Sequence, residues 1–154
     1  MDINIVDMTL NDISLIEPNF SECFDKFWSI DILKQDFKCE NSAYIVAKAG
    51  NDVVGFGGIK IVFDEAEIMN IAVRADKRKH GIGSIILRKI IELAITSKCT
   101  NIYLEVNENN LPAISLYEKY DFKRIGLRKK YYNNTDNAIL MSKLLQIKEE
   151  TNEK

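Results

Sequence analysis

Only two prolines and seven glycines occur in 154 residues, too few for a low-complexity linker, and no segment repeats at a period that would build a solenoid. The three cysteines, Cys23, Cys39 and Cys99, are odd in number and widely spaced. That spacing argues against a disulfide framework or a zinc site and predicts reduced thiols serving as buried apolar filler. An excess of one charge is missing too. Twenty-one Lys and Arg against 23 Asp and Glu leave a formal net charge of -2, so no global positive field draws the chain to nucleic acid or to an anionic membrane. Any anion site must be a local cluster. No run approaches the roughly 18 apolar residues of a membrane span, and residues 1–10 show no cationic start leading into an apolar stretch. A cytoplasmic protein with no membrane, nucleic-acid or metal partner is the expectation. What is present, 46% hydrophobic and 29% charged residues, is the composition of one ordinary domain with a sizeable core, expected over residues 1–147 with a polar tail at 148–154.

Periodicity divides the chain into alternating elements. Residues 3–6 read as a short strand, after which Thr9 or Asn11 caps a helix whose Leu10, Ile13 and Ile16 share a face until Pro18 interrupts it. Ile30, Leu33 and Phe37 mark a second helix. Residues 43–47 and 53–62 are β-branched or aromatic runs around the turn residues Gly50, Asn51 and Asp52, which predicts an antiparallel hairpin. A third run, 68–73, follows a turn at Asp64 and Glu65. Gly55, Gly57 and Gly58 crowd one strand and predict a bulge or a close backbone approach. Ile82, Ile86, Ile90, Leu93 and Ala94 then line one helical face, with Arg88, Lys89 and Glu92 on the wet side. Residues 102–106 form a strand, Asn110 and Pro112 open a helix reaching about Tyr120, and strands at 124–130 and 138–144 flank a turn at Asn133 and Asn134. The order is that of an α/β sandwich around a mixed sheet.

The most informative segment is residues 74–84. A cationic loop, Lys77, Arg78, Lys79 and His80, precedes Gly81-Ile82-Gly83-Ser84 at the opening of a helix. Such an arrangement suits an anion, because outward N–H groups and the absence of a Cβ admit a phosphate. A solvated basic loop is the plain alternative. A Rossmann dinucleotide turn is a second one, since Gly81-x-Gly83 follows a strand and Glu105 lies about 20 residues on. Ile86 at the third glycine position and seven residues between strand and Gly81 count against it.

Arg78-Lys79-His80-Gly81-Ile82-Gly83 resembles the R/Q-x-x-G-x-G/A signature of the GNAT N-acetyltransferase family, and the element order agrees over nearly the whole chain. Within the family the resemblance is to the ribosomal-protein-alanine acetyltransferases. It is carried by Asp64-Glu65-Ala66, Asn70-Ile71-Ala72-Val73, Leu104-Glu105-Val106, Asn110 with Ala113, Leu116-Tyr117-Glu118, Tyr131-Tyr132 and Trp28-Ser29. The resemblance implies a mixed, mostly antiparallel sheet of six to seven strands flanked by about four helices. It also implies acetyl-CoA as cosubstrate, its diphosphate on Arg78, Lys79, His80, Gly81, Ile82, Gly83 and Ser84. The pantetheine arm would pair along Ile71, Ala72 and Val73, whose N–H groups face the oxyanion, and Asn110 would hydrogen-bond the cofactor. The implied acceptor is the N-terminal alanine of the eighteenth small-subunit ribosomal protein. Three positions depart from the pattern: Asp121 before Phe122 in place of glycine, Asn137-Ala138 in place of Asp-Ala, and Phe27 in place of proline. Asp tolerates the left-handed cap conformation, so the first departure leaves the fold intact.

Acetyl transfer to an amine needs a neutral amine, donors for the developing oxyanion and a proton for the departing thiolate. An α-amino group with a pKa of about 8 is mostly protonated at neutral pH, so a base is required. Glu105, directly or through water, is the candidate, and an apolar cleft at its strand end is expected to strengthen it as a base. Tyr117 is the candidate acid. A salt-bridged glutamate and a core tyrosine remain the alternatives on the residues alone. Trp28, Tyr131 and Tyr132, with Arg128, Lys129 and Lys130 nearby, read as an aromatic rim for an extended peptide or as ordinary strand packing. Two other functions stay open: acetylation of a small amine such as a polyamine or aminoglycoside, and non-catalytic acyl-CoA binding. The small amine is disfavoured by the lack of a conspicuous acidic cluster near the acceptor loops.

Overall fold

The computed structural model describes residues 2–132 and 135–146, with the backbone alone at 130–132. The Asn133–Asn134 turn and the whole polar tail expected from the sequence lie outside these residues. Seven strands form one sheet in the order β1-β2-β3-β4-β5-β7-β6. They are β1 (Asn4–Asp7), β2 (Ser42–Ala49), β3 (Asp52–Val62), β4 (Glu65–Val73), β5 (Asn101–Asn107), β6 (Lys123–Tyr132) and β7 (Asp136–Leu144). All neighbours pair antiparallel except β4 and β5, as a mostly antiparallel mixed sheet requires.

Helices α1 (Leu10–Ile16) and α2 (Ile30–Phe37) cover one face, and α3 (Ile82–Thr96) and α4 (Leu111–Lys119) the other. Thr9, not Asn11, caps α1: its hydroxyl accepts from Asp12 N while the Asp12 carboxylate accepts from Thr9 N, a reciprocal capping box. Leu10 departs from the expected apolar face and is exposed, because the first turn of α1 carries it away from the sheet while Ile13 and Ile16 stay buried. Pro18 does end the helix, but the chain continues through a 3-10 turn (Glu17–Asn19) and a π-type turn (Phe20–Phe24) that periodicity did not suggest. Phe20 and Phe24 from these turns pack on Phe56 of β3.

The crowded glycines of β3 serve both expected purposes. A Cβ at Gly55 or Gly57 would meet Ile86 and Ile90 of α3 at 2.6–2.9 Å, and one at Gly58 would enter the Tyr44 ring on the opposite face. These positions therefore let α3 lie directly on the sheet. A bulge follows at once: Gly58 pairs with Asn70 but Ile59 pairs with Ile68, leaving Met69 as the extra residue of β4. Cysteine corrects one expectation. Cys99 is buried, but Cys23 is half-buried and Cys39 exposed at the end of α2, since neither falls on an inward-facing position.

Candidate active site

Strands β4 and β5 pair only from Glu65↔Asn101 to Ile68↔Leu104. Beyond the Met69 bulge they part, and the edge of residues 69–73 faces an opening instead of a neighbour. Two cavities, of about 920 Å³ and 510 Å³, occupy this opening and share Asp25, Lys26, Phe27, Asn110, Ala113 and Tyr117 in their walls. They are the two halves of one channel across the end of the sheet.

The smaller half is lined by Ile71, Ala72, Val73, Arg78, Lys79, Gly81, Ile82, Gly83 and Ser84, so the structure gathers nearly the whole expected cofactor set on one side. Backbone alternation sorts the strand donors. Arg74 N donates to Val54 O at 2.8 Å, so the ladder turns the polar groups of Val73 and Ile71 toward the opening and those of Ala72 toward β3. The expectation of three donors from residues 71–73 is corrected to two. One of the two, Ile71 N–H, donates to Asn70 Oδ1 at 2.9 Å.

At the opening of α3, Lys79 and Gly81 both take left-handed backbone conformations, with φ of 66° and 79°, and curl the chain so that the first N–H groups of the helix face the cavity. No side chain among the described residues caps them, which leaves the positive end of the helix for an anion. Ile82 contributes only its backbone, its side chain being buried under the sheet. Gly83 lets α4 approach, a Cβ there lying 3.2 Å from Leu116. Two side chains of the loop are engaged with backbone carbonyls. His80 Nδ1 sits 3.2 Å and 2.9 Å from the carbonyls of Lys77 and Arg78. The Arg78 guanidinium donates to Val73 O at 3.0 Å and to Phe24 O at 2.9 Å. Both brace the loop, and Arg78 together with Lys79 brings side-chain charge to the cavity wall.

The larger half is lined by Trp28, Glu67, Asn70, Glu105, Asn107 and Asp136 together with the shared wall. Glu105 stands here as expected, but ion-paired: Arg128 Nη2 donates to its carboxylate at 2.8 Å, and the surrounding wall mixes apolar side chains such as Ile68, Met69 and Val106 with acidic ones. Arg128 is thus the ion-pair partner of Glu105. Partial desolvation, and next the charge of Glu105, push the Glu67 carboxyl above the ordinary range, against the opposing charges of Lys60 and Arg128. Asp25 is also raised, by burial first, although Asn70, the Phe27 N–H and Arg78 all favour its charged form. Four carboxylates, Asp25, Glu67, Glu105 and Asp136, thus line a cavity where Lys26 is the one lysine among the described residues. The sequence-based absence of an acidic cluster is overturned, because these residues are scattered over 112 positions of the chain, from 25 to 136, and only the sheet brings them together.

Tyr117 is buried, its ring 5.6 Å from that of Phe122, and lines both halves. Asn110 also lines both, while its Oδ1 caps α4 by accepting from Ala113 N at 3.4 Å. Trp28 lies in the larger half. The side chains of Tyr131 and Tyr132 lie outside the described residues, and the backbone of Tyr132 pairs with Asp136 on the cavity wall. Glu67, Asn70, Asp25 and Asp136 were not singled out as site residues. An acid set between Ala66 and Ile68, in a strand that runs on through Ile71, Ala72 and Val73, is the available signal for Glu67. Among the described residues no group of three acidic, His or Cys side chains is placed to hold a metal ion, and no helix is long and apolar enough to cross a membrane.

Comparison with known proteins gives a consistent picture. The model of the acetyltransferase (GNAT) family matches residues 13–122. A putative [ribosomal protein bS18]-alanine N-acetyltransferase of Bacillus subtilis (strain 168) is 32% identical over 137 residues, spanning 87% of this chain and 90% of the relative. Among solved structures, the ribosomal-protein-S18-alanine N-acetyltransferase from Escherichia coli superposes with a TM-score of 0.84 at 24% identity, covering 97% of this chain and 98% of that one. A GNAT family acetyltransferase from Elizabethkingia anophelis with acetyl-CoA bound superposes with a TM-score of 0.74 at 22% identity, over 93% and 98% of the two chains.

Proposed function

The chain belongs to the GNAT family of N-acetyltransferases, and from that premise we propose that it transfers acetyl from acetyl-CoA to the N-terminal alanine of a ribosomal protein, the bS18 class named for its relative. The observation that carries the reading is the divided channel. Uncapped helix N–H groups, Lys79 and the backbone edge of β4 line one half, carboxylates line the other, and Tyr117 and Asn110 stand in the wall between.

In this reading the diphosphate lies on the N–H groups of Gly81, Ile82, Gly83 and Ser84, and the pantetheine amides pair with the outward groups of Ile71 and Val73. The acceptor amine enters from the acidic half, where the carboxylates attract it as an ammonium. Glu105 takes its proton, directly or through water. The neutral amine then attacks the thioester carbonyl, the C–N bond forms, an outward N–H of β4 faces the oxyanion, the C–S bond breaks as Tyr117 protonates the sulfur, and the proton shed by nitrogen as the amide forms returns the Tyr117 phenolate to its neutral state through water. The cytosol, where ribosomal proteins are made, is the expected place of action.

Acetyl-CoA is expected to raise the Tm and NADH to leave it unchanged, since a ligand that binds only the folded state at about 100 times its Kd adds about 2.7 kcal/mol. Thermal melts with each ligand check this, and stabilisation by NADH alone would restore the dinucleotide reading. The acidic lining gives a second reading a specific basis, acetylation of a small polyamine. Mass spectrometry on paired peptides separates the two: peptides beginning with Ala should be acetylated on the α-amine, and blocked versions carrying Lys should react poorly, because a lysine amine with pKa about 10.4 is much harder to deprotonate. Preferential acetylation of spermidine would replace the N-terminal reading with the polyamine one.

A further inference from the structure

The segment between the π-type turn and α2, residues 25–28, forms part of the wall of both cavities and carries Trp28. It has no regular secondary structure, so something else must hold it in place. Asn70 Nδ2 donates to Asp25 Oδ2 at 2.7 Å, and the other Asp25 oxygen accepts from Phe27 N at 2.7 Å. Asp25 is buried, 8% exposed, although carboxylates are rarely found inside without a partner. The second amide atom of Asn70, Oδ1, accepts from Ile71 N–H on the edge of β4. One side chain therefore joins the acceptor-side loop to the strand that faces the cofactor half.

We propose that Asn70 is a positioning residue, its amide latching the Asp25–Trp28 loop onto β4 so that the acceptor amine is presented to the Ile71–Val73 edge. The proposal rests on the reading of the channel as the acetyl-transfer site. The amide serves both ends, its Nδ2 donating on the Asp25 side and its Oδ1 accepting on the Ile71 side. Arg78, which holds Phe24 O at 2.9 Å, clips the preceding residue of the same segment.

Exchange of the two side chains tests the latch. In Asn70→Asp the acceptor toward Ile71 remains, but two carboxyls meet at Asp25 and stay in contact only while they share a proton. Around the pair stand Arg78 and Lys26, with Glu67, Glu105 and Asp136 across the larger cavity, and Lys79, Glu22 and Tyr117 on the side of the smaller one. The expected result is an acceptor KM close to wild type near pH 6 and raised roughly tenfold to a hundredfold near pH 8.5, the loss of a hydrogen bond to a charged group. The KM for acetyl-CoA stays within about twofold of wild type, because the Ile71 contact survives. Trp28, the one tryptophan of the chain, should shift its emission to the red over the same pH range. The double variant Asp25→Asn with Asn70→Asp restores a donor and an acceptor in exchanged positions and should return both readouts to wild type at pH 8.5. A KM ratio to wild type that does not change with pH, together with unchanged Trp28 emission, overturns the proposal, as does a folded double variant that fails to rescue. If the wild-type protein acetylates no peptide, the parent reading has failed, and the pH-dependent emission of the two variants decides the latch by itself.

Discussion

Tyr117→Phe is expected to lower kcat by roughly two to three orders of magnitude, the range in which a positioned proton donor contributes. The phenol lies in the wall common to both halves of the channel, where the sulfur of a bound thioester would meet the incoming amine. Its ring is buried and stacked at a tilt on Phe122, so phenylalanine fills the same space and the fold should persist. Affinity for acetyl-CoA should change little, since the proton is needed only as the thiolate departs. Single-turnover kinetics with an Ala-initiated peptide, beside a thermal melt of the variant, measure both quantities. A variant with wild-type kcat would assign Tyr117 to the core alone.

Glu105→Gln should produce a comparable loss at pH 7, with a different pH dependence. An α-ammonium with pKa about 8 surrenders its proton unaided as pH rises, so the deficit relative to wild type should shrink by roughly tenfold or more between pH 7 and pH 9.5. The variant also leaves Arg128 facing a neutral amide at the position where it now meets a carboxylate at 2.8 Å. Arg128 is half-exposed, so water can take over part of that interaction and the structural cost should stay within the about 1 kcal/mol typical of such pairs. A pH–rate profile of kcat/KM for wild type and variant carries the test. A deficit that is constant with pH would mean that Glu105 orients the acceptor through its charge and does not remove the proton.

How much of this was legible in the sequence depended on distance along the chain. The α2 helix spans Ile30–Phe37 as the spacing of Ile30, Leu33 and Phe37 predicts, with Ser29 as its cap. The turn at residues 50–52 joins β2 and β3 as expected, with Gly50 at φ +62°. Asp121 adopts the left-handed conformation anticipated for it, at φ +69°, because a short polar side chain bears that geometry at modest cost. These are local matters, decided by φ/ψ preferences and by which residues repeat every two or three to four positions. The loop before α3 was legible for the same reason, being one contiguous stretch of cations and glycines.

The carbonyl partners of Arg78, the direction of each strand N–H and the acidic lining of the larger cavity were not legible. Arg78 reads as a free cation until Phe24 O and Val73 O, contributed by other segments, come within reach of its guanidinium. Ile71, Ala72 and Val73 look equivalent until the antiparallel ladder with β3 turns Ala72 one way and its neighbours the other.

The amino-acid order by itself determined the order of the main strands and helices, the anion-suited loop and the family signature, since each rests on neighbours within a few residues. The tertiary structure decided where that loop points and what faces it. The Met69 bulge separates β4 from β5 after four paired positions, and it is this parting that opens a channel between strands that would otherwise bond to each other. Asp25, Glu67, Glu105 and Asp136 come from four separate elements or loops, so their shared charge exists only once the sheet has assembled, electrostatic coupling depending on distance in space and not along the chain.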